Sequence, residues 1–205
     1  MSETSNAELT LPESGAKPAS DRLLESALVV FSRYGFRRTG MGLVADQAGM
    51  SRPAVYLRYA NKDALFQAVA EHLVDRALAD AEAAWAEEAT LADNLAAMIL
   101  AKDLPIFRLL KTTPHGAELM QVDAELTAAG HLRLQSGFLA ILAGRLERLA
   151  AQGRIALAPH GGAGALAQLV FRAASGLKHE VEAEADYVAT VQALARVFDR
   201  SGRSA

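Results

Sequence analysis

The chain has 205 residues and a formal net charge of −3 at neutral pH. Its hydrophobic and charged fractions, 51% and 22%, are typical of globular proteins and exclude a chain that is disordered throughout. The chain contains no cysteine, which excludes disulfide frameworks, thiolate nucleophiles and cysteine-ligated metal sites. No apolar run reaches the roughly 18 residues of a membrane-spanning helix, and the N-terminus lacks the apolar core of a secretory signal. We therefore expect a cytoplasmic protein without a membrane partner.

The charges are distributed unevenly along the chain. Residues 1–16 carry three acidic side chains, whereas residues 17–62 hold eight basic and three acidic ones, a net charge of +5. Residues 63–205 hold 13 basic and 18 acidic side chains, a net charge of −5. A basic segment joined to an acidic remainder is typical of a small module that faces a polyanion.

The first part of the chain predicts a tail followed by a helix. Residues 1–18 are rich in Ser, Glu, Thr and Pro, so we expect a disordered tail. A helix is expected from about Asp21, capped by Ser20 and closed by Gly35. Its apolar side chains recur at the spacing of one amphipathic face; they are Leu23, Leu24, Ala27, Leu28, Phe31 and Tyr34.

Two short helices separated by a glycine turn follow. The first is expected over about Met41–Ala48 and is closed by Gly49, since glycine readily adopts the left-handed conformation. The second is expected over about Arg52–Tyr59, where Ser51 is a favourable N-cap and Pro53 lies in the first turn.

The rest of the chain also predicts helices. A fourth helix is expected from Lys62, capped by Asn61, and strand-like alternation is nearly absent beyond it. Pro105 is expected to kink or end the helix that begins at Leu91. Further helices are expected over about 126–151, 163–179 and 185–200, with breaks near 88–90, 111–116, 153–164 and 181–184. The predicted fold class is therefore all-α.

The segment from residue 39 to residue 66 meets the requirements of a helix-turn-helix unit. Ala45 is small enough for two helices to cross closely, and Met50 supplies an apolar plug after the turn. Val55 and Tyr59 give the last short helix one buried edge. The free edge combines a guanidinium, small residues and polar tips; it consists of Arg52, Pro53, Ala54, Tyr56 and Arg58.

These residues resemble the DNA-binding domain of TetR-type transcriptional regulators. The matching segments are Gly35-Phe36, Ala48-Gly49-Met50-Ser51, Val55-Tyr56-Leu57-Arg58-Tyr59 and Asn61-Lys62-Asp63-Ala64-Leu65. The resemblance implies a helix-turn-helix DNA-binding domain over residues 19–66. It further implies a helical ligand-binding and dimerisation domain over residues 67–205.

The resemblance implies which side chains contact double-stranded DNA. Arg52, together with Pro53 and Ala54, is expected to face base edges, where an arginine can form two hydrogen bonds with guanine. Contacts with phosphates, which set the register on DNA without reading its sequence, are expected from Tyr56, Arg58 and Lys62.

Two positions depart from the family pattern. Gly40 stands where the family has Ser or Thr to cap the second helix, so Thr39 is expected to cap it instead and is counted among the DNA-binding residues. Gly42 stands where the family often has a polar or basic residue, which leaves a DNA contact from that helix open.

The resemblance also implies a homodimer and a ligand. The last two helices carry wide apolar stripes that fit either a dimer interface or the chain's own core, and the resemblance favours the dimer. A two-fold pair of recognition helices reads a palindromic operator whose half-sites lie about 34–36 Å apart. We expect a repressor that is released from this operator by an unidentified, largely apolar small molecule. No ligand-binding residue is assigned, because the candidates fit a plain core equally well: Trp85, Met98, Phe107, His115, Met120 and Phe138.

Other function classes have little support in the sequence. None of the five histidines follows a Glu at helical ligand spacing, and there is no His-Glu-x-x-His, so neither a metal nor a cofactor is predicted. There is no Gly-x-Ser-x-Gly and no phosphate-binding loop, so no catalytic residue is predicted. Two alternatives stay open: a helical enzyme that uses histidine and carboxylates, and an interaction module whose basic end meets an acidic protein.

Overall fold

The computed structural model describes residues 18–121 and 124–202, and this part of the chain contains α-helices and no strand. The helices are α1 (Ala19–Tyr34), α2 (Met41–Ala48), α3 (Arg52–Tyr56), α4 (Lys62–Ala83), α5 (Leu91–Thr112), α6 (Gly116–Gln121), α7 (Ala124–Ala151), α8 (Ala163–Glu180) and α9 (Glu184–Gly202). A short 3-10 turn, Ala158–His160, lies between α7 and α8. The all-α prediction is confirmed. The predicted tail lies outside the described residues except for Pro18.

The first three helices and the beginning of α4 enclose an apolar core, which we call the N-terminal core. α1 and α2 pack closely, and both contribute a face of apolar side chains spaced three or four residues apart. The rings of Phe31, Phe36 and Phe66 lie with their centroids 4.9–5.7 Å apart. One buried side chain, Leu119, comes from α6. The helix-turn-helix unit is thus fastened to a continuous apolar base.

The other helices enclose a second apolar core, the C-terminal core. α5 packs against α4 and α9, and α7 packs against α4 and α8. The buried side chains come from the end of α4 and from α5, α7, α8 and α9; they include Trp85, Leu95, Met98, Ile99, Phe107, Phe138, Leu142, Leu146, Leu166, Val170, Tyr187, Val191 and Phe198.

α4 belongs to both cores. Leu65, Phe66 and Val69 are buried in the N-terminal core, whereas Ala81, three turns further along, is buried in the C-terminal core. The predicted domain boundary after Phe66 falls inside this helix, and Leu73 still packs against the N-terminal core. One unbroken helix thus links the two cores.

One predicted helix cap is wrong, and one of the two effects predicted for a proline does not occur. α1 begins at Ala19 without a side-chain cap, and the hydroxyl of Ser20 donates to the carboxylate of Asp21 instead. Pro105 does not end α5, which continues through it to Thr112. Packing of buried side chains on both sides of the proline outweighs its local preference.

The apolar stripes of α8 and α9 are divided between core and surface. Most large side chains of both helices point into the C-terminal core. Leu169 of α8 and Val197 of α9 remain 54% and 62% exposed. The described structure therefore uses most of each stripe for the chain's own core and leaves a smaller apolar surface on each helix.

Candidate nucleic-acid interface

The turn between α2 and α3 has the geometry that the sequence predicts. Gly49 adopts the left-handed conformation, with φ 63° and ψ 33°, which favours glycine. The backbone N–H of Met50 donates to the carbonyl of Ala45 at 2.9 Å, which closes α2. The Ser51 hydroxyl accepts a hydrogen bond from the N–H of Ala54 at 3.3 Å and so caps α3. These bonds fix the angle between the two helices.

α3 is one turn shorter than predicted and ends at Tyr56. Residues 57 and 58 form a turn after the helix, in which the N–H groups of Arg58 and Tyr59 both donate to the carbonyl of Val55. Val55 is fully buried and Tyr59 packs against the N-terminal core, and this burial raises the pKa of the Tyr59 hydroxyl. The short helix is thus held by its predicted buried edge.

The opposite edge of α3 is open to solvent. Among its predicted DNA-binding residues, Arg52, Pro53, Tyr56 and Arg58 are exposed and Ala54 is half-buried. The sequence prediction missed Leu57, which is 86% exposed. Its position two residues after the buried Val55 places it on the opposite side of a helix, and that offset was the available signal. An apolar side chain on this edge is suited to contact with a thymine methyl group.

The Arg52 side chain lies across α2 rather than directly away from α3. A Cβ atom added at Gly42 would come within 2.3 Å of Nη2, 2.4 Å of Nε and 2.6 Å of Cζ of Arg52. Gly42 is buried although it belongs to a short surface helix. The missing side chain of Gly42 thus provides the space in which the guanidinium lies.

The other two cations of this surface have defined neighbours. The Arg58 guanidinium lies 3.6 Å from the sulfur of Met50, next to the turn. The Lys62 ammonium donates to the carbonyl of Phe36 at 2.8 Å and to that of Arg37 at 3.3 Å, and it sits 4.4 Å from the centroid of the Phe36 ring. Lys62 therefore fastens the start of α4 to the loop between α1 and α2.

The capping role predicted for Thr39 is wrong. α2 begins after Gly40 without a side-chain cap. The Thr39 hydroxyl donates to the carbonyl of Gly35 at 2.8 Å, and the residue is only 3% exposed. Because its polar group is buried and bonded within the loop, Thr39 stabilises the approach to α2 and does not belong to the exposed edge.

A buried polar cluster lies inside the C-terminal core. The Lys102 ammonium is 2.6 Å from a carboxylate oxygen of Asp103, and both side chains are at most 2% exposed. The hydroxyl of Tyr187 donates to the other carboxylate oxygen at 3.0 Å. Burial raises the pKa of the Tyr187 hydroxyl, and the neighbouring Asp103 raises it further. The rings of Phe138 and Phe171 flank the ammonium at 5.2 and 5.4 Å.

The candidate pocket residues have different surroundings. Trp85, Met98, Phe107 and Phe138 are buried in the C-terminal core. His115 lies in the turn before α6, and the Met120 side chain lies outside the described residues. A cavity of about 200 Å³ lies beside the start of α5, below the roughly 300 Å³ at which small-molecule sites begin. It is lined by Thr90, Leu91, Leu149, Arg154, Ile155 and Asp199.

The described residues form neither a metal-binding cluster nor a membrane-spanning helix. They contain no group of three or more His, Asp or Glu side chains placed to hold a metal ion. No helix among them is long and apolar enough to cross a membrane.

The residues of this interface match a known family. The sequence model described as "Bacterial regulatory proteins, tetR family" matches residues 23–69, which run from α1 into α4 and include the whole helix-turn-helix unit. Residues 23–69 of the chain are therefore similar to this family. The resemblance seen in the sequence of the helix-turn-helix segment is thereby confirmed.

Several similar proteins are transcriptional regulators. The HTH-type transcriptional repressor ComR of Escherichia coli is 31% identical over 93 residues, which cover 42% of this chain and 44% of ComR. The match thus spans less than half the length of this curated relative. A TetR-family regulator from Mesorhizobium loti has the same fold, with a TM-score of 0.70 and 17% identity over 91% of this chain and 97% of that chain. FadR from Bacillus subtilis in complex with stearoyl-CoA gives a TM-score of 0.63 and 20% identity over 88% of this chain and 98% of that chain.

Proposed function

We propose that the chain is a homodimeric repressor in the cytoplasm, which binds a palindromic DNA operator and is released by a small, largely apolar ligand. The observation that carries the DNA-binding part is the exposed edge of α3, where arginine side chains stand beside small and apolar residues on a rigid turn. Such an edge fits the major groove, whose donor and acceptor pattern distinguishes all four base pairs. The name of ComR as a repressor supports the proposed sign of regulation.

Dimerisation is supported by the surface of the last two helices. Leu169 of α8 and Val197 of α9 are large apolar side chains exposed to solvent. A two-fold axis through such a surface would present two copies of α3 to one face of the duplex. Since α3 is only five residues long, a single copy offers few contacts, and pairing supplies the affinity that one helix lacks.

Ligand response is supported by the buried polar cluster of Lys102, Asp103 and Tyr187. Charged groups inside an apolar core contribute little to stability compared with well-packed apolar residues, and they are typical of functional sites. FadR, which shares the fold, was solved with stearoyl-CoA. We propose an effector with a long apolar part and an acidic or carbonyl end that competes for the ammonium of Lys102.

The proposed signal passes to the DNA-binding unit through two contacts. α4 is continuous between the cores, and its first residue, Lys62, holds the loop before α2 by two carbonyl oxygens. The turn before α6 holds the end of α1, because the N–H of His115 donates to the carbonyl of Ser32 at 3.1 Å. A shift of α4 or α6 would move the recognition helix of each subunit. A ligand drives this change only if it binds one arrangement more tightly than the other.

The DNA-binding proposal is tested by selecting bound duplexes from a random pool and sequencing them. We expect an enriched inverted repeat whose half-sites are about 10 base pairs apart, or a multiple of that spacing. Enrichment of a single unrepeated site would overturn the symmetric dimer on DNA. No enrichment over random competitor would overturn the operator itself.

The ligand proposal is tested by titrating the selected operator complex with stearoyl-CoA, stearate and octadecylamine, each below its micellar concentration. We expect the two acidic amphiphiles to dissociate the complex and the amine to leave it intact, because Lys102 is the buried cation. Equal effects of acid and amine would indicate non-specific action on the protein and would overturn the proposed role of Lys102.

A further inference from the structure

Gly42 occupies an unusual place for a glycine. It lies in the first turn of α2, and its backbone does not have a positive φ. Glycine in a helix costs about 1 kcal/mol relative to alanine because it loses more backbone entropy on folding. No turn or strained dihedral at this position requires it. The missing side chain is therefore the feature that distinguishes Gly42 from other residues.

The space left by that missing side chain is filled by Arg52. Three atoms of the guanidinium group would lie within 2.6 Å of a Cβ atom at position 42, well inside van der Waals contact. Any residue other than glycine would force the guanidinium to move. The side chain of Arg52 itself stays exposed, as do those of Tyr56 and Leu57.

This contact restricts where Arg52 can reach. An arginine on a free surface loses about 2 kcal/mol of rotamer entropy when it is fixed, and a flexible cation contacts many phosphates equally well. A guanidinium laid against the backbone of a second helix has fewer positions available. The planar guanidinium of Arg52 is then oriented to donate two parallel hydrogen bonds to one guanine.

We propose that Gly42 is a specificity-determining residue: it positions the guanidinium of Arg52 on α2, so that Arg52 reads one base pair of each half-site. The proposal rests on the operator binding proposed above. In this arrangement Gly42 makes no base contact of its own. Gly42 acts because it has no side chain in the space that the Arg52 guanidinium occupies.

The test compares four variants with the wild type on the selected operator and on a panel of its single-base-pair substitutions. They are Gly42→Ala, Arg52→Ala, the double variant, and the control Gly40→Ala. A Cβ atom at Gly40 would have no neighbour within 4 Å, so the control adds the same methyl group two residues away without touching Arg52.

We expect Gly42→Ala and Arg52→Ala to lose discrimination at the same base pair of each half-site, by about tenfold. The double variant should be no worse than Arg52→Ala alone, because both changes remove one interaction. Gly40→Ala should retain the wild-type preference. Thermal unfolding should show that Gly42→Ala is not less stable than the wild type, since alanine is the better helix former.

Three outcomes would overturn the proposal. They are an unchanged preference in Gly42→Ala, a loss at base pairs that Arg52→Ala does not affect, and a uniform loss over the panel, which would make Arg52 a phosphate contact. If the wild type selects no DNA sequence at all, the proposed operator binding is wrong. If the wild type selects an operator and any of these three results is found, the operator binding stands and only the proposed role of Gly42 and Arg52 is wrong.

Discussion

At the scale of single residues, the Lys102–Asp103 pair is the least expected feature of the C-terminal core. Both charges are withdrawn from water, which costs several kcal/mol for each ion before their attraction is counted. The pair is therefore sensitive to the loss of one partner and much less sensitive to the loss of both. This asymmetry gives a direct test of the pairing.

We expect Lys102→Met to lower the free energy of unfolding by about 3–5 kcal/mol, because the Asp103 carboxylate is left buried without its cation. The double variant Lys102→Met/Asp103→Leu should recover most of that loss, since neither charge remains. Urea denaturation monitored by circular dichroism measures both changes. A double variant that is less stable than Lys102→Met would contradict the pairing.

Tyr187 gives this cluster a pH dependence with a defined sign. Its pKa is raised above the ordinary value of a tyrosine, about 10, so the folded state favours the neutral hydroxyl, which donates to Asp103. The contribution of the Tyr187 hydroxyl to the free energy of unfolding is fully present below pH 10, and it is lost as the pH rises further toward the pKa of the folded state. The stability of the wild type should therefore fall in alkali.

We expect Tyr187→Phe to be about 1–3 kcal/mol less stable than the wild type at pH 7, because an oxygen of Asp103 loses its donor. The difference in the free energy of unfolding between the two proteins should narrow above pH 10. Denaturation curves at pH 7, 9 and 10.5 measure this difference. Tyr59, whose pKa is also raised, is present in both proteins, so its titration cancels in the comparison. A constant difference over this range would argue against the hydrogen bond to Asp103.

The sequence predicted which side chains of α3 are exposed better than it predicted how they are arranged. Val55 could be assigned inward and Arg52 outward because helical spacing determines which side of α3 each occupies. The contact between Arg52 and Gly42 depends on the angle at which α2 crosses α3. The spacing of residues along one helix does not determine that angle. Thr39 was misassigned for the same reason, since its hydrogen-bond partner Gly35 is positioned by the loop rather than by α2.

At the scale of elements, capping residues were the most informative signals. Ser51 and Asn61 both accept the hydrogen bonds expected of an N-cap, and Gly49 closes α2 as predicted. The prediction that Ser20 caps α1 was wrong because the Ser20 hydroxyl bonds to the carboxylate of its neighbour Asp21 instead. The length of α3 also could not be predicted, because the turn after Tyr56 depends on where α4 must begin. Local chemistry thus predicted where helices start and stop only where no competing contact exists.

Lys62 connects two elements, and its removal should weaken DNA binding without changing sequence preference. In Lys62→Ala the loop between α1 and α2 loses the ammonium that two carbonyl oxygens accept, and the interface loses a cation. We expect affinity to fall on every duplex in the substitution panel by a similar factor, about three- to tenfold. The slope of log affinity against log salt should become shallower by about 0.9 if one phosphate contact is lost. Loss confined to one base pair would contradict this role.

At the scale of the whole molecule, the charge asymmetry of the sequence places the net positive charge in the segment that folds into the helix-turn-helix unit, although the net charge of the whole chain is negative. The division of the buried residues into two cores could not be predicted from the sequence. A boundary drawn after Phe66 divides a helix that the structure keeps whole, because periodicity shows that α4 has an apolar face but not that its two halves face different cores. The apolar stripes of α8 and α9 likewise had two interpretations, and the described structure shows most of each stripe in the chain's own core.

The exposed remainder of those stripes makes the dimer testable. We expect the double variant Leu169→Glu/Val197→Glu to shift the chain from dimer to monomer, because like charges would then meet across the proposed two-fold interface. Leu132→Glu on α7 is the matched control, since Leu132 is 66% exposed and belongs to neither helix. Sedimentation velocity over a range of concentrations measures the oligomeric state, and operator titration measures the consequence. Loss of one half-site from each complex should weaken binding to the inverted repeat by at least a hundredfold while affinity for an isolated half-site stays unchanged. A double variant that remains dimeric, or a Leu132→Glu chain that becomes monomeric, would place the interface elsewhere on the molecule.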